Sequence, residues 1–176
     1  MAILWTFPEL IMIKAFIFDW GDTIMRDFPE KDGPACYWDE LIWVPGAASA
    51  LRFISATKDC YVASNSGYSD TSLMIKALKR MGASMYFKDY FTSVDLGFEK
   101  PDIRFFKAIL KRINCKPIDA VMIGNNYEKD IIGAKEIGMQ TVYFNEWDQI
   151  GNFDQADIII KHMDQLKSAF VSMSRT

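Results

Sequence analysis

Short apolar runs alternate with amphipathic segments along most of the chain, and this alternation limits the possible folds more than any other feature of the sequence. Residues 15–18 form an uninterrupted apolar run, which is typical of a strand covered on both faces. Further strands are predicted at residues 60–63, 91–94, 120–123, 141–144 and 156–160, with helices near residues 47–57, 70–81, 102–113, 131–138 and 163–170. This order predicts an α/β fold, a three-layer sandwich in which a mainly parallel, Rossmann-like sheet lies between two layers of helices.

The composition is that of an ordinary globular domain. The chain has 176 residues, of which 50% are hydrophobic and 24% are charged, and its net charge of −3 gives no general attraction for nucleic acid or an anionic membrane. We therefore expect a single domain at residues 13–176. Residues 1–12 are interpreted as an N-terminal extension, neither signal nor anchor, because Pro8, Glu9 and Lys14 leave no apolar stretch long enough to span a bilayer. A packing arm that uses Leu4, Trp5 and Phe7 is the alternative.

The cysteine and histidine content excludes several kinds of site. Cys36, Cys60 and Cys115 are odd in number and widely separated, so they predict neither a disulfide framework nor a zinc site. Reduced thiols in the cytoplasm are the simplest interpretation. His162 is the only histidine in the sequence and is expected on the surface at the start of a helix, which argues against Ser-His or Cys-His nucleophilic systems.

Polar side chains follow four of the predicted strands near the point where each strand ends. They are Asp19, Ser64, Lys100, and Asn125 with Asp130. Because the carboxyl ends of parallel strands meet at one edge of a sheet, we expect these side chains to converge. Each has a structural alternative, since such residues also build turns, cap helices or lie solvated in loops. Their regular placement on four strands favours a functional site.

These residue types suit the transfer of a phosphoryl group to a carboxylate. Asp19 is the candidate nucleophile, and Ser64 supplies a hydroxyl donor for the transferring oxygens. Lys100 can balance charge on both the nucleophile and the phosphate. A second acid, Asp130, helps to hold Mg²⁺, which prefers oxygen ligands.

The chain resembles the haloacid dehalogenase superfamily of aspartate-nucleophile phosphatases. The resemblance covers residues 13–146 and is carried by four stretches in the family's order, namely F-D-W-G-D-T-I at 18–24, V-A-S-N-S at 62–66, G-F-E-K-P-D at 97–102 and I-G-N-N-Y-E-K-D-I at 123–131. It implies a magnesium-dependent phosphohydrolase that works through an aspartyl-phosphate. It also implies that Ser64, Asn65 and Lys100 bind phosphate.

The first stretch departs from the family pattern at the residue that performs general acid–base catalysis. Gly21 stands where the family has its second aspartate, and Asp22 stands where the family usually has glycine. Asp22 can fill the role only if the turn is reshaped, so a solvent-facing or capping role is favoured for it. The backbone carbonyl of Gly21 can still contribute to the metal site, as the family takes it from that position.

A second departure weakens the predicted metal site. Asn125 stands where the family has an aspartate, so the implied Mg²⁺ ligands are Asp19, the Gly21 carbonyl, Asn125 and Asp130. An amide oxygen can coordinate magnesium but brings no charge, which predicts weaker binding.

The lengths of the connecting segments predict an open site. Only residues 25–43 separate the first motif from the next helix, and no large insertion lies between Ser64 and Lys100, so no large cap domain is expected. The substrate is then a phosphorylated small molecule or macromolecule, and the chain is a possible homo-oligomer. The loop contains four aromatic residues that could form a rim for a partner or substrate, namely Phe28, Tyr37, Trp38 and Trp43. Ordinary packing of the loop over the sheet is the alternative and is slightly favoured.

Two other functions stay open at the level of sequence. One is a catalytically weak or silent phosphate-binding protein that keeps the fold without the acid–base residue. The other is phosphonate cleavage, which the resemblance associates with a missing second aspartate but also with a lysine on a cap for which this chain has no room.

Overall fold

The computed structural model describes residues 12–173, and within them six strands form one parallel sheet. Its order is β3-β2-β1-β4-β5-β6. The strands are β1 (Ala15–Phe18), β2 (Asp59–Ser64), β3 (Asp89–Thr92), β4 (Ala120–Gly124), β5 (Gln140–Phe144) and β6 (Ile158–Ile160). The strand that precedes the predicted nucleophile therefore lies at the centre of the sheet.

Helices cover both faces of this sheet. The α-helices are α1 (Ala47–Ser55), α2 (Thr71–Arg80), α3 (Ser93–Leu96), α4 (Ile103–Arg112), α5 (Gly133–Glu136) and α6 (Leu166–Met173). Short 3₁₀ helices occur at Ala35–Tyr37, Ser84–Tyr86, Pro117–Asp119 and Met163–Gln165, and a π-helical segment, Tyr127–Ile132, leads directly into α5.

The central strand shows why the chain forms three layers. All four residues of β1 are buried, and their side chains alternate between the two faces of the sheet. Phe16 and Phe18 pack into the core on the side of α1, α2 and α6, whereas Ala15 and Ile17 pack into the core on the side of α4. The predicted α/β sandwich is confirmed.

Helix starts follow the capping residues that the sequence offers. Asp70 accepts a hydrogen bond from the backbone N–H of Leu73 at 2.9 Å, and Asp102 accepts one from that of Arg104 at 2.8 Å. Each carboxylate satisfies a donor that the first turn of a helix leaves without a backbone partner. His162 is exposed immediately before the 3₁₀ helix Met163–Gln165, as expected.

Several predicted boundaries are wrong. The strand predicted at 91–94 ends at Thr92, because the Thr92 hydroxyl accepts a hydrogen bond from the N–H of Asp95 and starts the short helix α3 instead. The helix predicted at 131–138 begins earlier, as the π-helical segment before α5. The last strand, Ile158–Ile160, is shorter than the predicted 156–160.

The segment of residues 25–43 crosses the carboxyl edge of the sheet as a single loop. A backbone bridge between Met25 and Trp43 closes its base. Arg80 of α2 donates hydrogen bonds of 2.7 Å to the carbonyls of Cys36 and Trp38, which fixes its far side. No large cap domain is inserted among residues 12–173, as predicted.

The N-terminal extension stays a prediction. Residues 1–11 lie outside the described residues, while Met12 is exposed and Ile13 is buried where the sheet begins. Across residues 12–173, no helix has both the length and the apolar character needed to cross a membrane.

Candidate active site

The carboxyl ends of β1, β2 and β4 open into a cavity of about 560 Å³. Its lining includes all the predicted site residues, which are Asp19, Gly21, Asp22, Ser64, Asn65, Lys100, Asn125 and Asp130. The expected convergence follows from the register of the sheet, in which Phe18 pairs with Val62 on one side and with Ile123 on the other.

Lys100 holds the two acidic residues of the site together. Its Nζ lies 2.6 Å from Asp19 Oδ1 and 2.6 Å from Asp130 Oδ1, and it donates a third hydrogen bond to the carbonyl of Ala63 at 3.0 Å. An ammonium group has three N–H donors, so every one of them is used. Lys100 and Asp130 are almost fully buried, and Asp19 is only 9% exposed.

Burial and charge pairing oppose each other in this cluster. Burial raises the pKa of Asp130 to about 6, with Lys100 acting in the opposite direction and Asp19 adding to the rise. Burial alone would lower the pKa of Lys100, but the carboxylates of Asp130 and Asp19 outweigh it, so this pKa lies above its ordinary value. Lys100 is therefore charged at neutral pH.

Thr23 connects the nucleophile candidate to the residue that follows β4. Its Oγ1 lies 3.1 Å from Asp19 Oδ2 and 3.3 Å from Asn125 Oδ1, and the side chain is fully buried. The two oxygens of Asp19 are thus oriented by different partners, one by Lys100 and one by Thr23. Thr23 belongs to the first motif, but the sequence did not predict its contact with Asn125.

Asn65 positions the backbone of Lys100. Its Oδ1 accepts from the Lys100 N–H and its Nδ2 donates to the Lys100 carbonyl, both at 2.8 Å. The side chain predicted to bind phosphate is therefore committed to the protein, and its phosphate-binding role stays a prediction. Ser64 is buried, and within residues 12–173 its hydroxyl donates only one long hydrogen bond, of 3.4 Å, to the Asn65 carbonyl, so this donor is available to a ligand.

Asp22 is turned toward the loop rather than toward the pair of Asp19 and Lys100. Its backbone is left-handed, with φ of 51°. Its Oδ1 accepts a hydrogen bond of 3.2 Å from the Asp27 N–H and lies 3.7 Å from an Arg26 nitrogen. The solvent-facing or capping role favoured from the sequence stays a prediction. A catalytic role for Asp22 stays a prediction.

Asp27 is a cavity residue that the sequence did not indicate. Loss of solvation raises the pKa of its carboxyl above the ordinary value, the Phe28 amide opposes this, and the carboxylates of Asp22, Asp19 and Glu30 add to the rise. No motif contains Asp27. Only the path of the loop brings it to the cavity.

The oxygen atoms at the site suit a magnesium ion but provide few charges. The predicted ligands offer two carboxylates, one amide oxygen and one backbone carbonyl, all of the hard type that Mg²⁺ prefers. Thr23 and Lys100 draw the side-chain oxygens of Asp19, Asn125 and Asp130 together. Among residues 12–173 there is no group of three His, Cys, Asp or Glu side chains able to hold a metal. The set fits magnesium, with less charge than a site of three carboxylates.

The loop of residues 25–43 forms one wall of the cavity. Phe28 and Trp38 line it and pack edge to face with ring centroids 5.9 Å apart, and the Lys31 ammonium lies 4.5 Å from the centre of the Phe28 ring. Tyr37 is 69% exposed, whereas Trp43 packs against the core. Phe28 and Trp38 thus agree with an aromatic rim, whereas Trp43 agrees with ordinary loop packing.

Comparison with known proteins gives agreement in both sequence and fold. Residues 26–138 match the family described as haloacid dehalogenase-like hydrolase. Over 68 residues, which are 39% of this chain and 30% of the relative, the sequence is 44% identical to a glyceraldehyde 3-phosphate phosphatase of Methanothermobacter thermautotrophicus. Over 124 residues, 70% of this chain and 51% of the relative, it is 30% identical to a ribulose-1,5-bisphosphate 5-phosphatase of Halopiger xanaduensis.

A solved structure shares the fold at low sequence identity. The Bacillus subtilis protein YfnB, crystallised with bound magnesium, superposes with a TM-score of 0.73 and 17% identity, covering 91% of this chain and 99% of that one. The matched part of this chain spans 30% of the length of the first phosphatase and 51% of the length of the second.

Proposed function

The chain belongs to the haloacid dehalogenase-like hydrolase family, and we propose that it is a magnesium-dependent phosphohydrolase that uses Asp19 as its nucleophile. The observation that carries this proposal is the orientation of Asp19 at the edge of the cavity. One of its carboxylate oxygens lies against Lys100 and the other against Thr23. Each oxygen keeps a further lone pair for attack on phosphorus.

The residues around Asp19 suit the charges of the reaction. An Asp19 oxygen bonds to phosphorus while the bond from phosphorus to the ester oxygen breaks, which gives an aspartyl-phosphate. The Ser64 hydroxyl can donate to a phosphoryl oxygen, and the positive charge of Lys100, whose three N–H donors are used within the site, helps to stabilise the negative charge of the phosphoryl group. Water then releases phosphate and restores Asp19.

Asp19, the Gly21 carbonyl, Asn125 and Asp130 would hold the magnesium ion. When bound, the ion offsets the negative charge that the phosphate brings to Asp19. No backbone hydrogen bond among residues 12–173 uses the Gly21 carbonyl, which leaves it available for such a contact. Because only Asp19 and Asp130 are charged, we expect weaker metal binding than three carboxylates would give.

The open cavity favours a phosphate ester that is at least partly exposed when bound. Two relatives are named for the phosphatase reactions of glyceraldehyde 3-phosphate and of ribulose-1,5-bisphosphate. Both compounds are small phosphate esters, and we propose a substrate of this class before a macromolecular one. A reducing cytoplasmic setting and a second copy of the chain over the cavity stay predictions.

Hydrolysis of para-nitrophenyl phosphate, with and without Mg²⁺, tests the proposal. We expect activity that depends on magnesium and is lost in Asp19→Asn, which keeps the shape of the side chain. Wild-type activity equal to that of Asp19→Asn would refute the nucleophilic role.

The second candidate is a phosphate-binding protein with little or no turnover. The absence of a side chain at Gly21 favours it, since an acid–base group is typically worth about 10² to 10⁴ in rate. In that case calorimetry would detect binding of inorganic phosphate that Lys100→Met abolishes, while para-nitrophenyl phosphate would stay intact. Magnesium-dependent turnover would exclude this candidate.

A further inference from the structure

The proposed reaction needs a group that moves protons, and Gly21 has no side chain to provide one. The oxygen of a poor leaving group must gain a proton as its bond to phosphorus breaks, and the attacking water must lose one. Since this requirement follows from the proposed phosphohydrolase, the inference below rests on that function. The question is which side chain near Asp19 can supply the proton.

Another carboxyl group lies beside Gly21. A Cβ atom built on Gly21 would lie 3.5 Å from Cβ, 3.7 Å from Cγ and 3.6 Å from Oδ2 of Asp27, and these are its three nearest atoms. Asp27 therefore lies against the position from which a side chain at residue 21 would project. Asp19, Gly21 and Asp27 line the same cavity.

The fold of the loop holds Asp27 in this place. Gly21 and Met25 form a backbone bridge, and the N–H of Asp27 donates to Asp22 Oδ1 at 3.2 Å. The Phe28 N–H donates to Asp27 Oδ1 at 3.0 Å, which leaves Oδ2 as the oxygen nearer to Gly21. A tight turn thus returns the chain to the nucleophile's side of the cavity.

The neighbouring carboxylates are committed to other partners. Asp130 is paired with Lys100, and its second oxygen accepts from a backbone N–H at 3.0 Å. Asp22 lies beside Arg26 and accepts the Asp27 N–H. No basic side chain among residues 12–173 forms an ion pair with Asp27. Asp27 therefore lies beside Gly21 and has no ion pair with a described basic side chain.

We infer that Asp27 is the general acid and base of the reaction, taking the place of the side chain that Gly21 lacks. In the first step an Asp19 oxygen bonds to phosphorus and the bond from phosphorus to the ester oxygen breaks. The electron pair of that bond goes to the ester oxygen, which takes the proton from the Asp27 carboxyl.

The second step returns the proton. A water oxygen bonds to phosphorus, and the Asp27 carboxylate accepts the proton that this water loses. The bond from phosphorus to Asp19 breaks with its electron pair returning to Asp19, so that phosphate is released and Asp27 is protonated again.

Substrates with good and poor leaving groups separate this role from a structural one. In Asp27→Asn we expect about a 10²-fold or greater loss of kcat on an alkyl phosphate such as glycerol phosphate, which needs protonation to leave. With para-nitrophenyl phosphate, rapid mixing should still show a burst of nitrophenolate, because this leaving group needs no proton. The aspartyl-phosphate should then accumulate, because water lacks a base.

A transplant of the carboxyl group provides the second variant. The backbone of Gly21 is not left-handed and a Cβ there meets only ordinary contacts, so Gly21→Asp is sterically tolerated. Asp27→Ala removes the carboxyl group beside Gly21. The double variant Asp27→Ala with Gly21→Asp should have a kcat at least ten-fold higher than that of Asp27→Ala alone. Asp39→Asn, a change at an exposed acid of the same loop outside the cavity lining, is the matched control and should resemble wild type.

The outcomes distinguish this inference from the function on which it rests. Activity that depends on Asp19 but is equal in wild type and Asp27→Asn on both substrates would overturn the role of Asp27 alone. An equal loss on both substrates, without a burst and without recovery by Gly21→Asp, would also overturn it. Wild-type activity no higher than that of Asp19→Asn would overturn both proposals. Thermal unfolding of each variant shows that it is folded before its kinetics are interpreted.

Discussion

Replacing Lys100 by methionine measures how far the fold depends on the charge balance of the site. The Lys100 ammonium lies 2.6 Å from a carboxylate oxygen of both Asp19 and Asp130, and its side chain is 2% exposed. Methionine fills similar space without charge. It therefore leaves two buried carboxylates next to each other and the Ala63 carbonyl without its donor.

The size of the effect follows from these contacts. A hydrogen bond to a charged group contributes about 1.5–3 kcal/mol, so the two bonds to carboxylates predict about 3–6 kcal/mol. Removal of one partner from a buried ion pair typically costs about 3–5 kcal/mol. We therefore expect Lys100→Met to lower the free energy of unfolding by about 3–5 kcal/mol at pH 8.

The effect should be smaller at pH 5. Loss of Lys100 removes the charge that opposes the rise in the pKa of Asp130, so this pKa moves further above its ordinary value. A carboxyl whose pKa is higher in the folded than in the unfolded state stabilises the fold at low pH, and this contribution is lost as the pH rises through the folded pKa. Lys100→Met should therefore regain roughly 1 kcal/mol or more of its lost stability at pH 5.

Urea unfolding followed by tryptophan fluorescence, with EDTA present, provides the measurement. Lys129→Met is the matched control, because Lys129 lines the same cavity but is exposed. Adding Asp130→Asn to Lys100→Met should recover part of the loss. If Lys100→Met unfolds like the control at both pH values, the cluster does not have the energetic role that its geometry indicates.

Three further changes test other parts of the site. Asn65→Ala removes both hydrogen bonds to the backbone of Lys100 and should lower the free energy of unfolding by about 1–3 kcal/mol in urea; a loss under about 0.5 kcal/mol would contradict the positioning role. Arg26→Met breaks two 2.5 Å hydrogen bonds to Glu146 and should lower the free energy of unfolding by about 1–2 kcal/mol, with a smaller loss in 1 M salt. An equal loss at both salt concentrations would argue against the ion pair. Burial raises the pKa of Cys60 to about 12, so iodoacetamide at pH 8 should leave its thiol unmodified until urea is added, as mass spectrometry can show; labelling in the folded protein would contradict its burial.

The parts of the site predictable from the sequence are those that the parallel sheet places by itself. Asp19 follows β1 and Ser64 ends the neighbouring strand β2, so the register of the two strands brings them to one edge without further information. Asn125 follows β4, the other neighbour of β1, and joins them for the same reason. Strand order and chain direction are sufficient for this level of prediction.

Details that depend on a hydrogen bond between one side chain and the backbone could not be predicted in this way. Asn65 carried a phosphate-binding prediction because it follows Ser64, whereas its amide binds the backbone of Lys100. The strand predicted at 91–94 runs two residues too far, since β3 ends at Thr92, whose hydroxyl caps α3. In both cases a hydrogen bond between a side chain and the backbone decides the outcome, and apolar periodicity contains no information about it.

Asp27 shows where reasoning from motifs reaches its limit. A motif assigns roles by spacing along the chain, and at Gly21 that reasoning can only report a missing carboxyl group or consider its neighbour Asp22. The cavity is instead a set of positions in space, and a tight turn after Asp22 brings a residue six positions beyond Gly21 to the volume that a side chain there would occupy. Loss of a residue from a motif therefore does not establish loss of its chemistry, because the surrounding loop can supply the same group from another position.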